Sequence, residues 1–315
     1  TSSATIAATA LSDIGGKTSG AVTVTKAVKI TGATADLTNT LVSGSSLVVA
    51  GTALVTVSDD AFTTSSATIA ATALSDIGGK TTGAVTVTKA VKITGSTADL
   101  TNTMVSGSSS VTAGTALVTV SDAAFASSST AIAATDLSNI GGKTTGAVTL
   151  ANKVRLQGSQ SEVATALVGD SSVVASKANT EARVTSVVNV NQGEEIAGVN
   201  NVQGIFASGL SDSLSSLASG GNSTAKLNTI TGDDGDVAIT VSDSAFESSS
   251  ATLTAADLIA VGGATTGTVT VTNAIKISGN TTQLTNTLVS SSSSVTASSA
   301  LVTVSDAAFT TSSAT

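Results

Sequence analysis

Hydrophobic residues along this chain switch between two periods. Val55 and Val57, Val85 and Val87, and Val91 and Ile93 alternate with polar residues, the spacing of strands with one buried face. Between such runs, Ile69, Ala70, Ala73, Leu74 and Ile77 recur at helical spacing. Ser65-Ser66 precede that segment as N-cap types and Gly78-Gly79 stop it as C-cap types. Ser96-Thr97-Ala98-Asp99 resembles a capping box with Asp in the place of Glu, and Leu100, Met104 and Val105 then share one helical face. Strand, helix, strand in tandem predicts parallel sheets with right-handed crossovers.

The pattern is periodic. Residues 1–63 align with 64–126 without a gap and differ at seven positions. A third copy follows at 127–189, a shorter divergent one at 190–247, and another clear one at 248–310, after which 311–315 opens a further copy. Each module reads as two similar halves, which predicts a turn of about 31 residues, within the range of known repeat units. The expected architecture is one continuous solenoid over 1–315, β-rich, with parallel strands and short helices. A right-handed parallel β-helix is the alternative. Stacked turns roughly 4.8 Å apart would make a rod on the order of 50 Å long. Thr311-Ser312-Ser313-Ala314-Thr315 repeats Thr1-Ser2-Ser3-Ala4-Thr5, and neither stretch resembles a polar cap. The expectation is therefore a window of a longer array, or a subunit whose ends stack on neighbours.

Composition narrows the function more than the fold. Apolar residues make up 41% of the 315 residues but aromatic ones only 2%, so the core must be Val, Ile, Leu and Ala, side chains that suit thin layers. There is no Cys and no His, which removes the Ser–His dyad, the thiolate nucleophile and the soft metal site. A net charge of −8 argues against nucleic acid, and no apolar run approaches the roughly 18 residues of a membrane span. Absence of thiols fits an oxidising compartment, so an extracellular or cell-surface location is expected.

Repetition sets the candidate chemistry. Stacking of modules would place Phe62, Phe125, Phe246 and Phe309 above one another as corner filling, and Gly15-Gly16, Gly78-Gly79, Gly141-Gly142 and Gly262-Gly263 at turns needing positive φ. Lys29, Lys92, Arg155 and Lys276 form a basic column, and Asp36, Asp99 and Glu162 an acidic one, both expected on a solvated face that resists lateral pairing. Asp59, Asp122, Asp243 and Asp306 end Val-Ser-Asp strands, where Asx turns are expected. Thr-Val-Thr at 23–25, 86–88 and 270–272 suggests a threonine face of the kind that binds ice. The densest acidic cluster, with Asp233, Asp234 and Asp236 in a Gly-rich turn, is the candidate Ca²⁺ site, though its spacing matches neither the EF-hand nor the Gly/Asp nonapeptide. Residues 175–237 depart from the repeat. There Val184 to Val190 reads as a strand, Glu194-Glu195 as a new charge pair and Phe206 to Leu217 as a longer amphipathic helix, a candidate contact for another filament or a glycan. Asn222-Ser223-Thr224 and Asn280-Thr281-Thr282 are glycosylation-type sequons.

Three strings carry a resemblance: Val118-Thr119-Val120-Ser121-Asp122, Gly141-Gly142-Lys143-Thr144-Thr145-Gly146-Ala147-Val148, and Ile93-Thr94-Gly95-Ser96-Thr97-Ala98-Asp99-Leu100. They resemble the Thr/Ala/Ser-rich repeats of large secreted cyanobacterial surface proteins of hemolysin-like, S-layer or cell-surface motility type. The resemblance implies export without disulfides and a role in surface layers, fibres or adhesion; it transfers no binding residues. The function expected is that of a non-enzymatic structural protein whose partner is itself, stacked end to end into a filament or layer. The alternatives are a spacer or stalk of a large adhesin and an ice-binding solenoid.

Overall fold

The computed structural model describes residues 4–64, 68–107, 109, 111–126, 131–169, 180–246, 252–290 and 293–308. Ser65, Ser66, Phe309 and 311–315, each given a role above, lie outside them. The fold is mixed α/β, with several parallel sheets and short helices. It divides into two compact units, Thr1–Leu156 with Thr165–Thr180, and Gln157–Ala164 with Glu181–Thr315.

In the first unit the strands are β1 (Thr5–Ala7), β2 (Val22–Thr23), β3 (Lys29–Gly32), β4 (Val48–Val49), β5 (Leu54–Val57), β6 (Ile69–Ala70), β7 (Val85–Val87), β8 (Lys92–Gly95), β9 (Val111–Thr112), β10 (Leu117–Val120), β11 (Ile132–Ala133) and β12 (Val148–Leu150). The helices are α1 (Ala8–Gly15), α2 (Thr34–Leu37), α3 (Ala71–Gly78), α4 (Thr97–Leu100) and α5 (Ala134–Gly141). The sheets run β1-β3-β5-β7-β9, β6-β8-β10-β12 and β2-β4, all parallel.

Each pairing skips one strand. Thr5 pairs with Lys29, Lys29 with Leu54, Val55 with Val85 and Val85 with Val111, so the step is 24 to 30 residues rather than about 31. The physical reason is that a 63-residue module holds five strands, not four. Advancing two strands per step, it makes two and a half steps. Because five is odd, the same strand of successive modules falls in different sheets: β3 belongs to the first and β8 to the second. Identical residues 63 apart are therefore not stacked. Lys29 has Thr5 and Leu54 as its strand neighbours, and Lys92 is paired with Leu117. The expected column of like charges does not form.

What does stack is chemistry of one kind. Ile6, Ile30, Val55, Val85 and Val111 occupy one register column, and Ile69, Ile93, Val118 and Val148 another. Ile30, Ile93, Val85 and Val148 are completely buried. One residue along each strand, on the opposite face, Thr31, Thr56, Thr86 and Thr112 align, as do Thr94, Thr119 and Thr149. Alternation thus places β-branched residues on both faces, which suits the pleat, with apolar ones inward.

The helices close the other side of the core with Leu37, Leu74, Ile77, Leu100, Leu137 and Ile140, all completely buried. The third helix begins at Ala71, two residues later than helical spacing predicts, because Ile69 and Ala70 pair with β8. Its N-cap is Ala70, with no side-chain bond, whereas Ser96 caps α4 as expected, accepting from the Asp99 N–H at 3.1 Å. After α2 and α4 the helix widens: Ser43 N–H bonds to Thr38 O and Ser106 N–H to Thr101 O, five residues back, each at 2.9 Å. Thr103, in that wider turn, is buried, and its hydroxyl donates to Ala71 O at 2.8 Å. The Gly pairs do not adopt positive φ. Gly16, Gly79 and Gly142 are right-handed, at −68°, −65° and −64°. Glycine is needed instead for close approach: a Cβ on Gly78 would lie 2.1 Å from Ser109 O.

The strand β13 (Arg155–Gly158) spans the boundary of the units, and β14 (Thr180–Val184) starts at it. The second unit holds helices α6 (Gln160–Ala164), α7 (Val190–Ala197), α8 (Leu214–Leu217), α9 (Ala225–Asp233), α10 (Ala255–Ala264) and α11 (Thr281–Leu288). Its further strands are β15 (Val202–Phe206), β16 (Leu210–Asp212), β17 (Ala218–Ser219), β18 (Asn222–Ser223), β19 (Ile239–Val241), β20 (Leu253–Thr254), β21 (Val269–Val271), β22 (Lys276–Gly279), β23 (Val295–Thr296) and β24 (Leu301–Val304). Parallel pairing continues as β16-β19-β21-β23 and β20-β22-β24, and β17-β18 is an antiparallel hairpin. The stretch from Phe206 to Leu217 is a strand end, a turn, β16 and one helical turn, not the long helix expected. Phe206, Leu210, Leu214 and Leu217 are all buried, so helical spacing coincides here with inward positions of other elements. Gly209, at φ 76°, breaks the run. Val184 to Val190 is likewise not one strand, since Val190 opens α7.

Register packing sets the stability. Ile93→Ala, between Ile69 and Val118, should cost about 3 kcal/mol in denaturant unfolding, while Leu54→Ala, at a side chain 47% exposed, should cost under about 1 kcal/mol.

Candidate functional site

Carboxylates at strand ends carry the most regular polar contacts of the fold. Asp59 Oδ2 accepts from the Thr34 N–H and hydroxyl, both at 2.7 Å. Asp122 does the same for Thr97 at the same distances, and Asp306 accepts from the Thr281 N–H at 2.8 Å and its hydroxyl at 2.5 Å. Thr34, Thr97 and Thr281 are the first residues of α2, α4 and α11, whose N–H groups have no partner within the helix. The expected Asx turn is thus replaced by a helix cap that reaches across 25 residues to a helix started one pairing step earlier. The divergent segment keeps the device. Asp212 accepts from Val190 N–H at 3.0 Å, and Asp243 from Leu214 N–H at 2.7 Å. Two hydrogen bonds from Thr281 hold the Asp306 carboxyl below its usual range. Glu162, in the first turn of α6, is held low in the same way by Ser159 N–H and hydroxyl at 2.7 and 3.0 Å.

The repeated aromatics pair with the repeated cations. Lys92 Nζ lies 5.1 Å from the Phe62 ring centre, Arg155 Cζ 3.9 Å from that of Phe125, and Lys276 Nζ 5.8 Å from that of Phe246. Each half-buried ring therefore covers the cation of a strand about 30 residues on. Phe62, Lys92, Leu117, Ala147 and Leu150 line an open cleft of about 330 Å³. Its lining is one cation, two threonines, Thr119 and Thr149, and otherwise apolar side chains.

The acidic cluster serves a strand edge. Asp233 Oδ2 accepts from Gly204 N–H at 2.8 Å, and buried Asp234 Oδ2 from Phe206 N–H at 2.6 Å, so the pair binds alternate donors of β15. Burial lifts both carboxyls above their ordinary range. For Asp234 the neighbouring Asp236 and Asp233 add to the rise, against the Phe206 N–H. A hard cation needs six to eight oxygens. Here Asp233 and Asp234 each turn an oxygen to a backbone donor, and among the described residues no group of three or more acids is placed to hold a metal ion. Glu194 and Glu195 separate in role: Glu194 pairs with Lys226 at 3.1 Å, and Glu195 accepts from Gln160 Nε2 at 2.9 Å. Of the sequon residues, Asn280 caps α11 through Gln283 N–H at 2.8 Å, and Asn222 lies in the β17–β18 hairpin.

The caps were missed in the sequence because an Asx turn is a local reading. The signal was present in the constant separation of Thr34 from Asp59, Thr97 from Asp122 and Thr281 from Asp306.

Asp122→Ala should lower unfolding stability by about 1–2 kcal/mol through loss of the α4 cap. A raised folded-state pKa gives stability that is full below the unfolded value of 3.8 and lost as pH rises through the folded value, so acidification from pH 7 toward 4 should stabilise the second unit. Asp306 and Glu162, held low, act in the opposite direction only below their ordinary values of 3.8 and 4.5. In Asp234→Asn the gain between pH 7 and 4, read from unfolding midpoints, should shrink.

Comparison with known protein families, with curated proteins and with solved structures finds no match to this chain.

Proposed function

We propose that this chain is a non-enzymatic structural protein of an extracellular filament or surface layer, built as an α/β solenoid that stacks end to end. The observation that supports the reading is the recurrence of one set of contacts from module to module: the parallel register, the strand-end carboxylate on the previous helix, and the ring over the next cation. Such a set has no natural end, which is the property of a rod that grows by repetition. It also occupies the side chains that catalysis would draw on. His and Cys are absent, and the strand-end acids Asp59, Asp122 and Asp243 serve as caps. The resemblance to secreted cyanobacterial repeats, the lack of thiols and a polar surface made of Ser and Thr support a place outside the cell. No helix among the described residues is long and apolar enough to cross a membrane.

The threonine columns favour ice binding as a second reading, since Thr31, Thr56, Thr86 and Thr112 repeat at the strand spacing. They form one row, however. The parallel row two residues earlier on the same face carries Lys29 and Leu54, which breaks a flat hydroxyl–methyl lattice.

Cryo-electron microscopy of the native material tests the main reading: continuous fibres or a layer are expected, and isolated short particles would overturn it in favour of a stalk. A thermal-hysteresis assay should give no activity above buffer.

A further inference from the structure

The sequon Asn222-Ser223-Thr224 has no part in the filament reading, and the fold gives it a setting of its own. Asn222 is exposed in β18, just past Gly220 and Gly221, whose φ of 61° and 78° make the tight turn after β17. The hairpin is tied to α10, since Gly221 N–H donates to Asp257 Oδ1 at 2.6 Å. From Asn222 to Thr224 the backbone is extended, because β18 runs straight into the α9 N-cap at φ −69° and ψ 155°. Side chains two apart on an extended chain share one face, so the Asn222 amide and the Thr224 hydroxyl can be gripped together. The other sequon lacks this. Asn280 is the N-cap of α11 and Thr282 lies inside the helix, where residues two apart point away from each other.

A groove of about 540 Å³ opens beside Asn222, between the hairpin, α9 and α10. None of its lining side chains ionises. Ser223 Oγ donates to Asn228 Oδ1 at 2.7 Å, which leaves the Asn228 Nδ2 hydrogens without a described partner. Thr231 Oγ1 donates to Leu227 O at 3.1 Å and keeps lone pairs to accept. The rest of the lining is small, and two of its residues are glycines that the fold does not ask for. Gly232 and Gly263 lie within α9 and α10, without positive φ, and a Cβ on either would meet nothing within 4 Å. Glycine inside a helix is less favourable than alanine. In the regular copies Gly16, Gly79 and Gly142 stand just past the end of the helix, whereas α10 runs on through Gly263 to Ala264. Amide donors, hydroxyl acceptors and open backbone, all uncharged, suit a ligand made of hydroxyl groups, each of which both donates and accepts.

We propose that Asn222 carries an N-linked saccharide and that its first sugars lie in this groove, against the backbone left open by Gly232 and Gly263. This rests on the extracellular reading above, because the donor required is one used on exported chains: a saccharide activated as a lipid-linked diphosphate. Asn222 Nδ2 bonds to the anomeric carbon as the bond from that carbon to the diphosphate oxygen breaks. The diphosphate leaves with the electron pair, and one Nδ2 hydrogen leaves as a proton to a base of the transferase. Nothing is oxidised or reduced. The second Nδ2 hydrogen stays for Gly220 O, which it meets at 3.2 Å, so the turn survives the substitution. The Thr224 hydroxyl is held only by long bonds, 3.1 Å to Ser216 O and 3.4 Å from Leu227 N–H, and is readily released to the transferase. Sequon and groove are independent features, one of the sequence and one of the packing, and they meet at the same side chain.

Peptide mass spectrometry of the protein recovered from its native source tests the site. The peptide with Asn222 should be heavier by whole sugar units, and the peptide with Asn280 should be unaltered. Asn222 found bare in protein from outside the cell, with or without sugar on Asn280, overturns the proposal and leaves the filament reading standing. Protein found only in the cytosol overturns the location and the modification together. Exoglycosidase digestion of the glycoprotein tests the groove. Trimming should be several-fold slower on the folded chain than on the denatured one. The double variant Gly232→Leu, Gly263→Leu, which fills the groove with good helix formers, should keep the circular dichroism and bring the folded rate up to the denatured one. Equal rates in the unaltered protein, or slow trimming that persists in the double variant, overturn the seating of the sugars in the groove.

Discussion

The first unit of this fold follows from parallel pairing between strands two apart in sequence. Parallel strands need a crossover between them, and here the crossover carries an intervening strand, a helix or both. Backbone hydrogen bonds then fix which residues face each other, and the sequence answers with like on like: Ile and Val inward, Thr outward. Charge is the exception, and the odd strand count resolves it. With five strands to a module, equivalent lysines enter different sheets, so each has Thr or Leu as its strand neighbour. A module of four strands with the same residues would have returned every cation to one sheet at each second strand, roughly 9.6 Å apart. The module length is therefore part of the electrostatics as well as of the geometry.

Elements were legible in the sequence where the local pattern and the pairing agree. Val55/Val57, Val85/Val87 and the Ser96–Asp99 cap were readable because alternation and capping are properties of a few adjacent residues. The pairing step was not readable, because the two halves of a module resemble each other in composition and suggest two turns, while the number of turns is decided by which strands bond. The start of α3 was misplaced for the same reason: Ile69 fits a helical face and a strand column equally, and only its partner Ile93 decides. Phe206 to Leu217 repeats the lesson, with Gly209 the residue that should have ended the helix in the reading.

The acids show how far local chemistry misleads in a repeat. An Asp after a strand and three Asp in a Gly-rich turn look like a turn former and a cation site when read alone. In the fold the first satisfies backbone donors at helix starts, and Asp233 and Asp234 of the second satisfy donors along β15. An unpaired backbone N–H at a helix start costs free energy, and a strand-end carboxylate removes that cost once in each module. That requirement alone accounts for the recurrence of Val-Ser-Asp, and the divergent segment, which changes nearly everything else, retains Asp212 and Asp243 on helix starts.

A cap of this kind also acts on assembly. It links a strand end to a helix one step back, so a new turn is tied both to the sheet edge it extends and to the helix layer behind it. An incoming strand that paired one residue out of register would turn its apolar residues away from the core and move its Asp away from the waiting helix N–H groups. Backbone pairing by itself is indifferent to register, and a surface rich in Thr and Val would tolerate slippage. The strand-end carboxylate adds to the discrimination that the buried apolar face supplies.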